Sequence, residues 1–139
     1  MTPERAAEHG ATAVDRAVLF AQSDVVSIHL VLGRTTRGLV GADDLARMRS
    51  TALLVNTSRG PLVDEAALVA ALRERRIGGA AVDVYDVEPL PADHPLRSLD
   101  NVLATPHVGY VADDLYRVFY GDTVKAVSNW INAGPSRTD

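Results

Sequence analysis

Four polar residues stand where apolar runs give way to glycine or proline. They are Arg59 in VNTSRGPLVDE, Asp83 and Glu88 in AAVDVYDVEPL, and His107 in LATPHVGY. A permanently charged guanidinium, two carboxylates and an imidazole together could run acid–base chemistry on a substrate that carries a carboxylate. Each has a plainer reading when taken singly. Arg59 could pair with Asp64 across a turn. Asp83, set in an apolar strand, needs a partner if buried, whether that partner serves function or structure. Glu88-Pro89 could be an ordinary turn, and His107, following Pro106, a loop histidine with its hydrogen bonds satisfied. His29, His9 and His94 read as structural.

A parallel α/β sheet is what would bring the four together, because ligands and catalytic groups gather at the carboxyl ends of its strands. The chain alternates strand and helix patterns as such a sheet requires. Residues 3–9 read as helical, with Thr2 as N-cap and Pro3 at the first helical position. A short strand near 12–14 and a helix over 15–22 follow. DVVSIHLVL (24–32) is an almost unbroken run of strand formers, the pattern of a strand buried on both faces. ADDLARMR (42–49) reads as a short helix and TALLVN (51–56) as a second buried strand. Asp64 caps a helix running to about Arg76, with Leu68, Ala71 and Leu72 on one face and Gly78 at its end. GAAVDVY (79–85) and NVLATP (101–106) supply two more strands. A last helix over about 113–132, with an apolar stripe from Leu115 to Ile131, stops at Gly134-Pro135, and the final SRTD reads as a frayed tail.

Composition narrows the function classes. The 139 residues suit one domain with a real core, and 47% hydrophobic and 23% charged residues are ordinary for a globular protein. A net charge of −4 with no lysine–arginine block argues against nucleic acid. RERR (73–76) reads as cations at a helix C-terminus. The absence of cysteine excludes thiolate catalysis, disulfides and Cys-ligated zinc and fits a cytoplasmic protein. No stretch has the ~18 apolar residues of a membrane span, and no metal-ligand spacing occurs. Asn56-Thr57-Ser58 matches a glycosylation acceptor but sits at the end of a buried strand. A G-x-G-x-x-G turn, the mark of a dinucleotide-binding first half, is missing from these residues.

Several stretches, in order, carry a resemblance: SDVVSIHLVLGRTTRGLVG, LLVNTSRGPLVDEAAL, GAAVDVYDVEPLPADHPL and NVLATPHVGY. From Ser23 to about Trp130 the chain resembles the carboxyl-terminal part of the NAD-binding domain of D-2-hydroxyacid dehydrogenases, the family of formate, D-lactate, glycerate and phosphoglycerate dehydrogenases. The resemblance implies a partial Rossmann-like open parallel sheet with flanking helices, lacking the glycine-rich first half. Residues 1–139 would form one partial NAD-binding domain, with the substrate domain absent. It implies hydride transfer between NAD or NADP and a small 2-oxo or 2-hydroxy acid. Arg59 would hold the substrate carboxylate and polarise its carbonyl, His107 would act as acid and base, and Glu88 would bond and orient the imidazole. Thr57, Ser58, Arg59, Asp83, His107, Gly109 and Tyr110 would line the cofactor. Val31 stands where the family often has proline.

The missing glycine turn leads to the expectation that this polypeptide alone binds the dinucleotide weakly or not at all. A non-catalytic remnant or interaction module of the same family is the competing function. A regulatory corepressor-like role has no support in charge or motif. An unpaired apolar edge along 24–32 implies a homodimer or higher oligomer with that strand at the contact.

Overall fold

The computed structural model describes residues 2–133; the expected helix stop at Gly134-Pro135 and the SRTD tail lie outside them. By contacts the chain divides into two units, residues 1–107 and 108–139. The first is an α/β unit built on a four-stranded sheet. Its elements are α1 (Pro3–Ala7), α2 (Arg16–Gln22), β1 (Val25–Ile28), α3 (Ala42–Arg47), β2 (Leu53–Asn56), α4 (Glu65–Arg73), β3 (Gly79–Val82) and β4 (Val102–Ala104). The strands lie in the order β1-β2-β3-β4 and every pairing is parallel, as the alternating pattern requires. Register aligns Ile28 with Asn56, Asn56 with Val82 and Val82 with Ala104. All four carboxyl ends therefore finish level with one another.

The two caps read from the sequence are in place. Thr2 Oγ1 accepts from the Arg5 N–H at 3.3 Å, and Asp64 Oδ1 accepts from the Ala67 N–H at 3.0 Å. Leu68, Ala71 and Leu72 of α4 are buried together, against a core that includes Phe20 of α2, Leu45 and Met48 at α3, and Val26, Ile28, Leu54 and Val82 of the sheet. Asp44, also buried, accepts from the Gly41 N–H at the start of α3 and from the Arg16 guanidinium of α2, tying the two helices together.

Four expectations are corrected. Residues 12–14 form no strand. α4 ends at Arg73, and Arg75, not Gly78, takes the left-handed conformation after it, with φ 53°. Gly78 serves close approach instead: a Cβ there would lie 2.6 Å from the Thr51 carbonyl oxygen. The largest correction concerns 24–32, where the strand covers four residues and only one of its faces is buried. Val26 and Ile28 are buried, whereas Val25 is 55% exposed and Val31 87%. The buried core includes residues of α2, α3 and α4 packed against a single sheet face, so alternate residues on the other face (Val25, Leu53, Leu103) stay open.

In the second unit, α5 (Asp113–Ala133) opens with Asp113 and Asp114, carboxylates that suit a helix N-terminus. Its Tyr116 and Tyr120 rings pack 5.6 Å apart, one turn from each other. No described helix is long and apolar enough to cross a membrane.

Candidate active site

The expected residues follow directly on the level strand ends: Thr57, Ser58 and Arg59 after β2, Asp83 after β3, and His107 three residues past β4. Periodicity alone would scatter them over 51 positions of chain; the parallel register puts them on one edge.

The loop after β2 is held from both sides. Ser58 Oγ donates to the Ile28 carbonyl at 2.7 Å, joining the loop to the end of β1. Arg59 directs Nη1 to the Ser58 carbonyl at 2.5 Å and keeps its side chain at the surface, while Asp64 caps α4. The alternative Arg59–Asp64 pairing is not the arrangement formed. Gly60 then passes so close to the chain after β3 that a Cβ would sit 2.0 Å from the Tyr85 carbonyl carbon. Only glycine permits that approach without moving backbone.

The chain after β3 carries the two carboxylates. Asp83, 6% exposed, accepts from the Thr105 hydroxyl beyond β4, and its N–H donates to the Asn56 carbonyl at 3.0 Å. A buried carboxylate needs such partners, so its position in an apolar strand is satisfied. Glu88 accepts twice: from the Tyr85 N–H at Oε1, 2.9 Å, and from His107 Nδ1 at Oε2, 2.6 Å. Partial burial is the largest single influence on the Glu88 carboxyl and pushes its pKa up. The His107 hydrogen bond, the Tyr85 N–H and the charges of His107 and Arg59 together outweigh it and hold the group below the usual glutamate range. Glu88 is thus a carboxylate at neutral pH, and an ionised carboxylate only accepts, so Nδ1 of His107 carries the proton between them. Both side chains keep about a third of their surface open, 34% for Glu88 and 37% for His107, so a small molecule can reach them.

Two residues that the sequence reading passed over fix this pair. The Tyr85 hydroxyl lies 2.8 Å from the Thr105 carbonyl and 3.1 Å from that of Val82, clamping the end of β3 to the chain beyond β4. The same Thr105 carbonyl accepts from the His107 N–H at 3.1 Å, within a turn where His107 has φ 56°. Left-handed backbone at a non-glycine residue is uncommon and costs on the order of 1–3 kcal/mol, held here by those contacts. Tyr85 therefore holds Glu88 directly through its N–H, and through its hydroxyl it holds the Thr105 carbonyl that accepts from the His107 N–H. A tyrosine ending an apolar strand was the available signal, and nothing local said where its hydroxyl would go.

His29 Nε2 lies 2.8 Å from Ser27 Oγ, and His94 Nε2 pairs with Glu65 at 3.0 Å. Gly109 and Tyr110 belong to the second unit. Among the described residues no histidine–carboxylate group could hold a metal ion.

The Glu88 shift gives a pH dependence of known sign. Its folded pKa is below its unfolded value, so the unfolded state binds the extra proton and stability falls as pH drops. The contribution is complete above the ordinary value of 4.5 and is lost as pH falls through the lowered one. Thermal melts across that acid range should show a steeper loss for the native chain than for Glu88→Gln. Parallel curves for the two would refute the pairing.

A parallel sheet whose level strand ends carry an arginine and a carboxylate-bound histidine defines a class of α/β protein with a charged strand-end edge. The family assignment agrees with that class. Residues 1–109 match the D-isomer specific 2-hydroxyacid dehydrogenase NAD-binding domain, and the chain belongs to this family. The glyoxylate/hydroxypyruvate reductase B of Yersinia pestis (strain Pestoides F) is 42% identical over 133 residues, covering 94% of this chain and 40% of the relative. A phosphoglycerate oxidoreductase from Vibrio cholerae O395 superposes with a TM-score of 0.82 at 42% identity, over 92% of this chain and 42% of that one. A D-isomer specific 2-hydroxyacid dehydrogenase from Xanthobacter autotrophicus Py2, solved with NADPH and MES, gives a TM-score of 0.66 at 42% identity, over 76% and 36% of the two chains. The chain spans about two fifths of the length of the curated relative it matches.

Proposed function

We propose that this chain supplies the catalytic edge of an NAD(P)-dependent oxidoreductase acting on a small 2-oxo or 2-hydroxy acid. The observation that carries the reading is the His107–Glu88 pair, 2.6 Å apart and open to solvent, on the same strand-end edge as Arg59. The Y. pestis relative is a glyoxylate/hydroxypyruvate reductase, which supports a short 2-oxo acid as substrate.

The residues present fit the nicotinamide end of a dinucleotide. Thr57 and Ser58 after β2 and the Asp83 carboxylate after β3 stand together at the strand ends as the proposed wall for that group. When bound, the cofactor supplies the hydride. No glycine-rich turn for its pyrophosphate occurs in these 139 residues, so the chain by itself is expected to hold a dinucleotide weakly or not at all. NADPH in the X. autotrophicus relative keeps both NAD and NADP in the proposal.

This chain's own residues then divide the work. Arg59 grips the substrate carboxylate as a charged fork and draws electron density from the carbonyl. His107 gives the proton of Nε2 to the forming alkoxide and takes it back in the reverse direction. Glu88 holds the ring by Nδ1 and balances the imidazolium charge. Cytoplasmic localisation and self-association along the β1 edge, which pairs only with β2 among the described strands, remain part of the proposal.

The test is steady-state reduction of glyoxylate and hydroxypyruvate by the native protein with NADH or NADPH. Arg59→Ala should lower kcat/KM by about 10- to 150-fold, the worth of a hydrogen-bonded charge contact. Full activity in that variant would overturn the role of Arg59, and a parent protein that binds NADH or NADPH yet turns over no 2-oxo acid would overturn the function.

A further inference from the structure

Asn56 ends β2 on the buried face of the sheet, 2% exposed, level with Ile28 on one side and Val82 on the other. Both neighbours are apolar and buried, so an aliphatic residue would suit this layer. A polar amide there is costly unless its hydrogen bonds are made. They are made to one loop only. Oδ1 accepts from the Ser58 N–H at 3.1 Å, and Nδ2 donates to the Arg59 carbonyl at 2.9 Å. The first closes an Asx turn, and the second holds the backbone of the residue that bears the guanidinium. The Asn56 carbonyl meanwhile receives the Asp83 N–H at 3.0 Å.

We propose that Asn56 is a positioning residue for Arg59: its buried amide sets the shape of the loop after β2 and so aims the guanidinium at a substrate carboxylate. This rests on the reading of Arg59 as the carboxylate-binding residue. Ser58 and Arg59 are at least partly open to water, so their backbone groups can be hydrated once the amide is gone. Loss of the amide should therefore loosen the loop while the fold survives.

Two measurements test this with Asn56→Leu, close in size and suited to the apolar layer. In the 139-residue chain, the Ser58 amide hydrogen should exchange about tenfold faster, while amides in the middle of β2 keep their protection. In the native protein, kcat/KM for a 2-oxo acid should fall by about 10- to 100-fold through KM. The preference for the 2-oxo acid over its uncharged amide should shrink, a selectivity that general loosening of the core would leave alone. Unchanged Ser58 exchange, or an unchanged preference beside an Arg59→Ala control that loses it, would overturn the proposal. If Arg59→Ala itself keeps the preference, the reading of Arg59 fails, and the exchange measurement still decides whether Asn56 shapes the loop. Should the leucine variant not fold, Asn56→Ser, too short to reach both backbone groups, carries the same comparison.

Discussion

His107→Ala is expected to lower kcat/KM for 2-oxo acid reduction in the native protein by about 10²–10⁴-fold, the usual worth of a positioned general acid. The imidazole is held at Nδ1 by Glu88, while the His107 backbone N–H, bound to the Thr105 carbonyl, is kept in the variant, so the change removes the proton donor without removing any core residue. The thermal midpoint should move little, and the pH dependence of kcat/KM that reports the acid should vanish. Glu88→Gln should cost less, since the amide oxygen can still accept from Nδ1 but no longer balances an imidazolium charge. Steady-state kinetics over a pH series measures both. Undiminished turnover in His107→Ala would end the assignment of His107 as the acid.

Gly60→Ala is expected to damage stability and site together. The new Cβ would lie 2.0 Å from the carbonyl carbon of Tyr85, 2.2 Å from its oxygen and 2.5 Å from its Cα, all backbone atoms that no rotamer change can move aside. The turn after β2 or the chain after β3 must shift. Forcing extra volume into such a contact costs about 1–3 kcal/mol, or about 4–8 °C of thermal midpoint per kcal/mol for a unit of this size. Because Arg59 lies on one side of the contact and the Tyr85 N–H that holds Glu88 on the other, the shift also parts the guanidinium from the acid–base pair. Calorimetry should show the lower midpoint, and the His107 ring resonances should move although position 60 is far from them in sequence. A midpoint equal to that of the parent would refute the close approach.

The order of the four strands that form and of the helices between them, their parallel class, the caps at Thr2 and Asp64 and the buried face of α4 were determined by the sequence alone. Each rests on neighbours within a turn or two: strand formers at Val25, Val26 and Ile28, a side-chain oxygen three residues ahead of an N–H, a stripe at helical spacing. The motif residues Arg59, Glu88 and His107 were legible for a different reason, their resemblance to a family; taken singly each kept a structural reading. What the tertiary structure alone decided are contacts between segments distant in the chain. Glu88 meets His107 across 19 positions, Gly60 meets the Tyr85 backbone across 25, and the Thr105 hydroxyl reaches Asp83 across 22. None leaves a local pattern, because the register of the sheet, and not the spacing along the chain, sets which strand ends stand side by side. The same holds for 24–32. An apolar run is compatible with burial on two faces, but burial needs a layer to pack against, and the helices that join the core lie on one face, leaving Val25 open beside buried Val26.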